Sequence, residues 1–203
     1  MSELPYFILV WLNYRLAATF AVGLPLILLI WAAFKQEAAM VRLLSIYWKI
    51  ASLMPISMLL LTNQRQIGYL TFFITPFLMV LSVWFWIDLN EELDNLPAMK
   101  PLALTIRIWR WALSSFGLIF ATLTFISLSC LKTLESTTCS PWLEVPQTLH
   151  QITEKLFKFL FGANWNEPLA SFIGYVALII YLLAFLQWLL IRMPKNGRIA
   201  GEF

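Results

Sequence analysis

Charged side chains are scarce in this chain of 203 residues. Asp, Glu, Lys and Arg make up 12% of it, against roughly 25% in ordinary soluble domains. Histidine occurs once, at His150, and cysteine twice, at Cys130 and Cys139. One histidine outside the apolar runs leaves no His to hold a membrane-embedded haem or chlorophyll, and it cannot complete a two-cysteine metal site. The His-Glu-x-x-His pair, the phosphate loop, the dinucleotide fingerprint and the Gly-x-Ser-x-Gly elbow are all missing. No catalytic residue, metal or cofactor is therefore expected. The net charge of +3 is small and scattered, which argues against a nucleic-acid partner.

Apolar surface is what the chain has in excess. Hydrophobic residues account for 61% of it, with ten Trp and sixteen Phe. A soluble fold of this size must leave much of its surface in water and could not hide so much. Lipid removes the difficulty, and aromatic rings favour the membrane–water boundary. Measured against the roughly 20 residues that cross the hydrocarbon core as a helix, five runs qualify: 16–34, 43–62, 68–87, 111–130 and 169–191. The expected fold is all-α, a polytopic transmembrane helical bundle forming a single membrane domain over 1–203, with the lipid bilayer as its first partner. No Asp or Glu falls inside a run, and the one charge, Lys49, lies close enough to an end for its stem to reach the boundary. Residues 4–12 are apolar but too short to cross, and read as an interfacial lead-in. A cleaved signal peptide fits less well, because the whole apolar stretch is too long.

Five spans put the termini on opposite sides. Lys35, Arg42, Lys49, Lys100, Arg107, Arg110, Arg192, Lys195 and Arg198 collect on one side, and Arg15, Arg65, Lys132, Lys155 and Lys158 on the other. The positive-inside rule places the first group, with the C-terminus, in the cytoplasm and the N-terminus outside. Cys130, at the end of the fourth run, and Cys139 then fall in a compartment that permits a disulfide. Spacing leaves open whether the two are bridged or are unpaired thiols.

Two connections carry pattern. The outer loop 131–168 contains a helical stretch, 146–161, with Pro146 in its first turn and Gly162 just past its end. Leu149, Ile152, Leu156 and Leu160, flanked by Phe157 and Phe161, form an apolar stripe at helical spacing. It suits a helix lying on the leaflet, a cap on the bundle or a docking surface. The inner loop 88–95 holds Asp88, Glu91, Glu92 and Asp94, followed by Arg107 and Arg110. It lacks the spacing and glycine of an EF-hand, and reads as a solvated acidic turn. These six residues are the candidates for contact with a partner.

Pro25, Pro55 and Pro76 fall near the centres of the first three runs. Each frees the carbonyl four residues earlier, at Ala21, Ala51 and Phe72, and hydrocarbon offers no water to repair it. Ser52, Ser57, Thr71 and Thr75 are near enough in sequence to be candidates for the repair. Broken helices of this kind occur in transporters, although proline is also simply common in membrane helices. Ser114, Ser115, Thr122, Thr124, Ser127 and Ser129 in the fourth run could line a pore or serve as packing contacts.

Trp11-Leu12-Asn13-Tyr14-Arg15, Pro25-Leu26-Ile27-Leu28-Leu29-Ile30-Trp31, Tyr47-Trp48-Lys49-Ile50-Ala51-Ser52, Trp84-Phe85-Trp86-Ile87-Asp88-Leu89-Asn90-Glu91-Glu92 and Trp109-Arg110-Trp111-Ala112 carry a resemblance over essentially the whole chain. The sequence resembles a family of roughly 200-residue cyanobacterial membrane proteins known as a domain of unknown function. That resemblance implies a cyanobacterial membrane, the thylakoid, and a link to the photosynthetic apparatus, with the outer loop in the lumen. It transfers no catalytic motif. Two functions follow as expectations: a non-catalytic accessory or assembly protein binding other membrane-protein subunits of a photosystem, or a small transporter using proline-kinked helices.

Overall fold

Inside hydrocarbon a backbone has no water to bond, so a crossing segment must close its own hydrogen bonds as a helix. The computed structural model describes residues 3–97, 100–131 and 139–200, and these form helices and connections without a strand. Five helical stretches are long and apolar enough to cross a membrane: Tyr6–Phe34, Ala38–Thr62, Gln66–Trp84, Pro101–Leu131 and Glu167–Lys195.

The first comprises α1 (Glu3–Leu16), a π-helical stretch (Ala17–Gly23) and α2 (Leu24–Phe34). The second is α3 (Ala38–Ala51) followed by α4 (Leu53–Thr62), and the third is α5 (Gln66–Trp84). A short α6 (Ile87–Asp94) precedes α7 (Pro101–Ser127), which ends in a 3-10 turn, Leu128–Leu131. Then come α8 (Ser140–Phe161), α9 (Glu167–Gln187), a second π-helical stretch (Trp188–Arg192) and α10 (Met193–Asn196).

Two compact units are made from this chain, each drawing a part of each of the five helices long enough to cross a membrane. One consists of Met1–Tyr14, Ser52–Thr75 and Ala121–Leu183. Within it α4 packs on α8, and α9 and α5 approach α4 closely at glycines. A Cβ at Gly174 would stand 3.2 Å from Leu59 and Leu60, and one at Gly68 would stand 2.9 Å from Leu61. The other consists of Arg15–Ala51, Pro76–Phe120 and Ala184–Phe203. Within it α2 and α6 both pack on α3, and a Cβ at Gly117 would meet Val80 at 2.6 Å. Small residues at such contacts let van der Waals packing hold helices that lipid does not drive together.

Cys130 and Cys139, both fully buried, form a disulfide with Cα atoms 5.8 Å apart. It ties the 3-10 turn after α7 to the N-cap of α8. Lys132 and the other residues of 132–138 in the same loop lie outside the described residues.

Four boundaries differ from the sequence reading. Residues 4–12 belong to a helix that continues into the first crossing, with Val10, Asn13 and Ala17 on its buried side. The fourth crossing starts at Pro101 rather than near 111, and Arg107 and Arg110, read as flanks, lie inside its helix, where they donate to backbone carbonyls and to the Asn90 amide oxygen. The acidic run is the helix α6, built on Leu89 and Leu93, both fully buried and four apart. And α8 begins at Ser140, with Pro141 in its first turn and Pro146 inside.

Proline gaps explain three hydrogen bonds between residues far apart in sequence. Pro146 cannot donate to the carbonyl of Trp142, and the buried Tyr14 hydroxyl donates to it instead, at 2.9 Å. Pro25 follows the π-helical stretch, so it withholds a donor from the carbonyls four and five residues back. Ala21 accepts from the Tyr47 hydroxyl at 2.7 Å, and Phe20 accepts from Trp109 Nε1 at 2.9 Å. The Tyr47 and Trp109 rings meet edge to face, 5.1 Å apart. At Pro55 the second crossing turns at Ser52, between α3 and α4, while α5 runs through Pro76. Ser57, Thr71 and Thr75 donate to carbonyls of their own helices, at Leu53, Ile67, Gly68 and Thr71, none of which a proline has freed.

Candidate functional site

The residues anticipated for partner contact surround α6. Its first turn follows an extended Trp86 and opens with Asp88, an acid placed well for the positive end of the helix dipole. The Asp88 carboxylate accepts the Ala200 N–H with both oxygens at 3.0 Å. The C-terminal segment is fastened twice more: Ile87 N–H donates to the Arg198 carbonyl at 3.1 Å, and Arg198 Nε donates to the Phe85 carbonyl at 2.8 Å. The Arg198 guanidinium also stands 5.3 Å from the Phe85 ring.

The other end of α6 is held by α7. A helix leaves its last carbonyls without partners. Arg107 Nη2 covers them, donating to Leu93 at 2.6 Å, Leu96 at 3.2 Å and Asp94 at 3.3 Å. One helical turn further on, Arg110 is buried, with 4% of its surface exposed. Its Nη2 donates to Asn90 Oδ1, and its guanidinium lies 4.0 Å over the Trp84 ring, a cation–π contact strengthened by desolvation. Asn90 Nδ2 donates to the Trp84 carbonyl at 3.0 Å, and Trp84 Nε1 donates to Ser114 Oγ at 2.8 Å. On α3, Arg42 Nη2 donates to both carboxylate oxygens of Glu92, at 2.7 and 2.9 Å. Lys100 pairs with Glu37 nearby in sequence to α2 and α3. Glu91 and Asp94, three apart on the side of α6 away from Leu89 and Leu93, remain exposed.

A second polar cluster lies in the unit that contains α8. Trp142 Nε1 donates to the Tyr6 hydroxyl at 2.8 Å, and Trp11 Nε1 to Glu144 at 3.2 Å. The rings of Tyr14, Phe72 and Trp142 pack with centroids 5.5 to 5.9 Å apart. In the same unit the Asn13 side-chain amide, the Tyr69 hydroxyl and His150 Nδ1 are buried without a hydrogen-bond partner. Among the described residues, no group of three His, Cys, Asp or Glu is arranged to hold a metal ion.

Residues 8–201 match the model of the family described as Protein of unknown function (DUF3177). The chain belongs to that family. No curated protein and no solved structure matches it. The match takes in both clusters of this DUF3177 protein except Tyr6, and it reaches the tail contact at Ala200.

Of the six partner-contact candidates, Asp88, Glu92, Arg107 and Arg110 bond within the chain, and Glu91 and Asp94 face outward. Sequence reasoning missed Arg42, Trp84, Asn90, Ser114 and Ala200. The only signal available was the close spacing of Arg107 and Arg110, which on a helix points both toward one neighbouring element. Ser114, offered as a pore hydroxyl, accepts from Trp84 and donates to the Arg110 carbonyl at 2.8 Å.

Proposed function

We propose that this protein is a non-catalytic accessory or assembly protein of a larger membrane complex, a photosystem in a cyanobacterial thylakoid, with its N-terminus lumenal and its C-terminus cytoplasmic. The observation that carries the reading is the mounting of α6. Both ends of this short helix are fixed by Asp88, Arg107 and the C-terminal segment, and Arg42 fixes its flank. What it offers outward is an acidic pair, Glu91 and Asp94. A rigidly held charged helix suits recognition of a basic partner surface, where charge complementarity sets specificity and encounter rate. The thylakoid and the photosystem rest on the family resemblance, and the orientation rests on the excess of basic residues flanking this side.

The transporter reading drew on Pro25, Pro55 and Pro76. At Pro25 the freed carbonyls already accept from Tyr47 and Trp109, so they are not the bare acceptors that a broken-helix solute site would offer, which favours the accessory reading. The test is capture of the tagged protein from membranes extracted in mild detergent, followed by mass spectrometry. Wild-type protein should bring down subunits of one complex, and the double variant Glu91→Lys, Asp94→Lys should reach the membrane at normal levels but lose them. Recovery of the wild type alone, or an unchanged set with the variant, would sink the reading.

A further inference from the structure

The second half of α8 carries an apolar face that the rest of the described chain does not cover. Trp142, Leu143, Pro146 and His150 on its first half are buried. Beyond them Leu149, Ile152, Leu156, Phe159 and Leu160 are exposed, Phe159 to 84%. At about 100° of rotation per residue these five fall in one sector roughly a quarter to a third of the circumference wide. Gln151, Glu154, Lys155 and Lys158 occupy a different sector and are exposed as well.

Where this helix can lie is restricted by its two ends. At its start, Cys139 is bonded to Cys130, in the turn that closes the fourth crossing. At its finish, the link 162–166 leads into Glu167, where the fifth crossing begins, and even fully extended it reaches only about 20 Å. No crossing intervenes, so both tethers sit on one face of the membrane. A helix of 22 residues is about 33 Å long, so one tied at its start to this face and at its finish by a link of about 20 Å cannot stand upright on it. The uncovered sector is continuous in chain with the exposed apolar surface of α9, formed by Phe172, Val176, Ile179 and Ile180. Trp165 packs against Phe157, with centroids 5.2 Å apart, at the junction, a ring type suited to the headgroup layer.

We infer that the second half of α8 is a membrane-surface anchor, with Leu149, Ile152, Leu156, Phe159 and Leu160 seated at the headgroup–acyl boundary of the leaflet into which α9 descends. The polar sector faces water, and Lys155 and Lys158 stand where lysines on interfacial helices meet lipid phosphates. The occupant of this face is lipid rather than a protein, so the inference holds for the protein alone and does not rest on the accessory reading.

The test uses the full oxidised chain in phosphatidylcholine vesicles at high lipid-to-protein ratio. Single variants Ile152→Cys, Leu156→Cys and Phe159→Cys, with Gln151→Cys and Lys158→Cys as controls, are labelled with an environment-sensitive fluorophore. Because Cys130 and Cys139 are bridged, the new thiol is the site labelled, and retention of that bridge reports folding. Labels at 152, 156 and 159 should emit at shorter wavelength and be quenched by brominated lipid but not by aqueous iodide. Labels at 151 and 158 should show the reverse. Iodide quenching at 152, 156 and 159 would overturn the inference. Protection from both quenchers would also overturn it, since that is the signature of a face covered by protein.

Discussion

A carbonyl freed by proline inside hydrocarbon needs a donor from elsewhere, and in two places this chain supplies one from a buried tyrosine. Tyr47 serves Ala21 and Tyr14 serves Trp142. Tyr47→Phe and Tyr14→Phe should each lower stability by about 1–3 kcal/mol, the cost of a buried acceptor left unpaired. The cost should shrink by about 1 kcal/mol or more in the backgrounds Pro25→Ala and Pro146→Ala, where a restored N–H takes over. Unfolding of the four variants and two double variants in detergent measures this, and equal costs in both backgrounds would refute it. Asn13 presents the opposite case, because its amide is 2% exposed and neither polar atom has a partner. Asn13→Leu should therefore raise stability by about 1–3 kcal/mol, so a stable but inactive variant would assign Asn13 a working role. The freed carbonyl at Ala21 was legible from Pro25 alone. Its donor was not, because Tyr47 lies 26 residues away and nearby hydroxyls such as Ser57 bond within their own turns.

Short helices were harder to read than long ones. The run 88–95 read as an acidic turn because charge dominates its composition, and two leucines four apart give too brief a period to compete. What makes it a helix is tertiary: Leu89 and Leu93 are buried, Arg107 covers its last carbonyls, and Arg42 and Ala200 hold its acids. The exposed Arg42–Glu92 pair alone contributes only about 0.2–1 kcal/mol, so fixation comes from several contacts together. For α8 the amphipathic stripe and the stop at Gly162, which adopts a left-handed φ of 66°, were both readable. Its start was displaced by Pro146, which looks like a first-turn residue unless the tyrosine behind it is known. The disulfide at the head of α8 closes a short loop. Replacing Cys130 and Cys139 together by Ser should cost about 2–3 kcal/mol on the chain-entropy estimate, and it should free α8 to proteolysis at its N-terminal end. Unchanged stability and protease resistance would show that packing of Trp142 alone fixes the helix.

Five long apolar helices were legible from hydropathy because each comes up to the bilayer requirement of roughly 20 residues by itself, without help from its neighbours. Their lengths were less legible. Tyr6–Phe34 and Pro101–Leu131, at 29 and 31 residues, would measure about 44 and 46 Å as α-helices, more than the roughly 30 Å core, and such helices tilt or protrude. Basic flanks mark a helix end only when their charges remain solvated, and the buried Arg110 does not. The orientation proposed from those flanks makes a separate forecast. In sealed vesicles with the cytoplasmic face outward, protease should remove a C-terminal epitope, whereas in vesicles with the lumenal face outward it should leave it intact. The opposite pattern would reverse every assignment of sides.

The coupling of Tyr14 to Pro146 and of Tyr47 to Pro25 also constrains how relatives of this chain can diverge. A lineage that loses the ring hydroxyl first carries an unmet acceptor in oil, and one that loses the proline first is left with a hydroxyl that has lost its acceptor. The second path is the milder, since the phenol can then drift to phenylalanine. Related sequences should accordingly show tyrosine with proline, or phenylalanine without it, and seldom phenylalanine beside a retained proline.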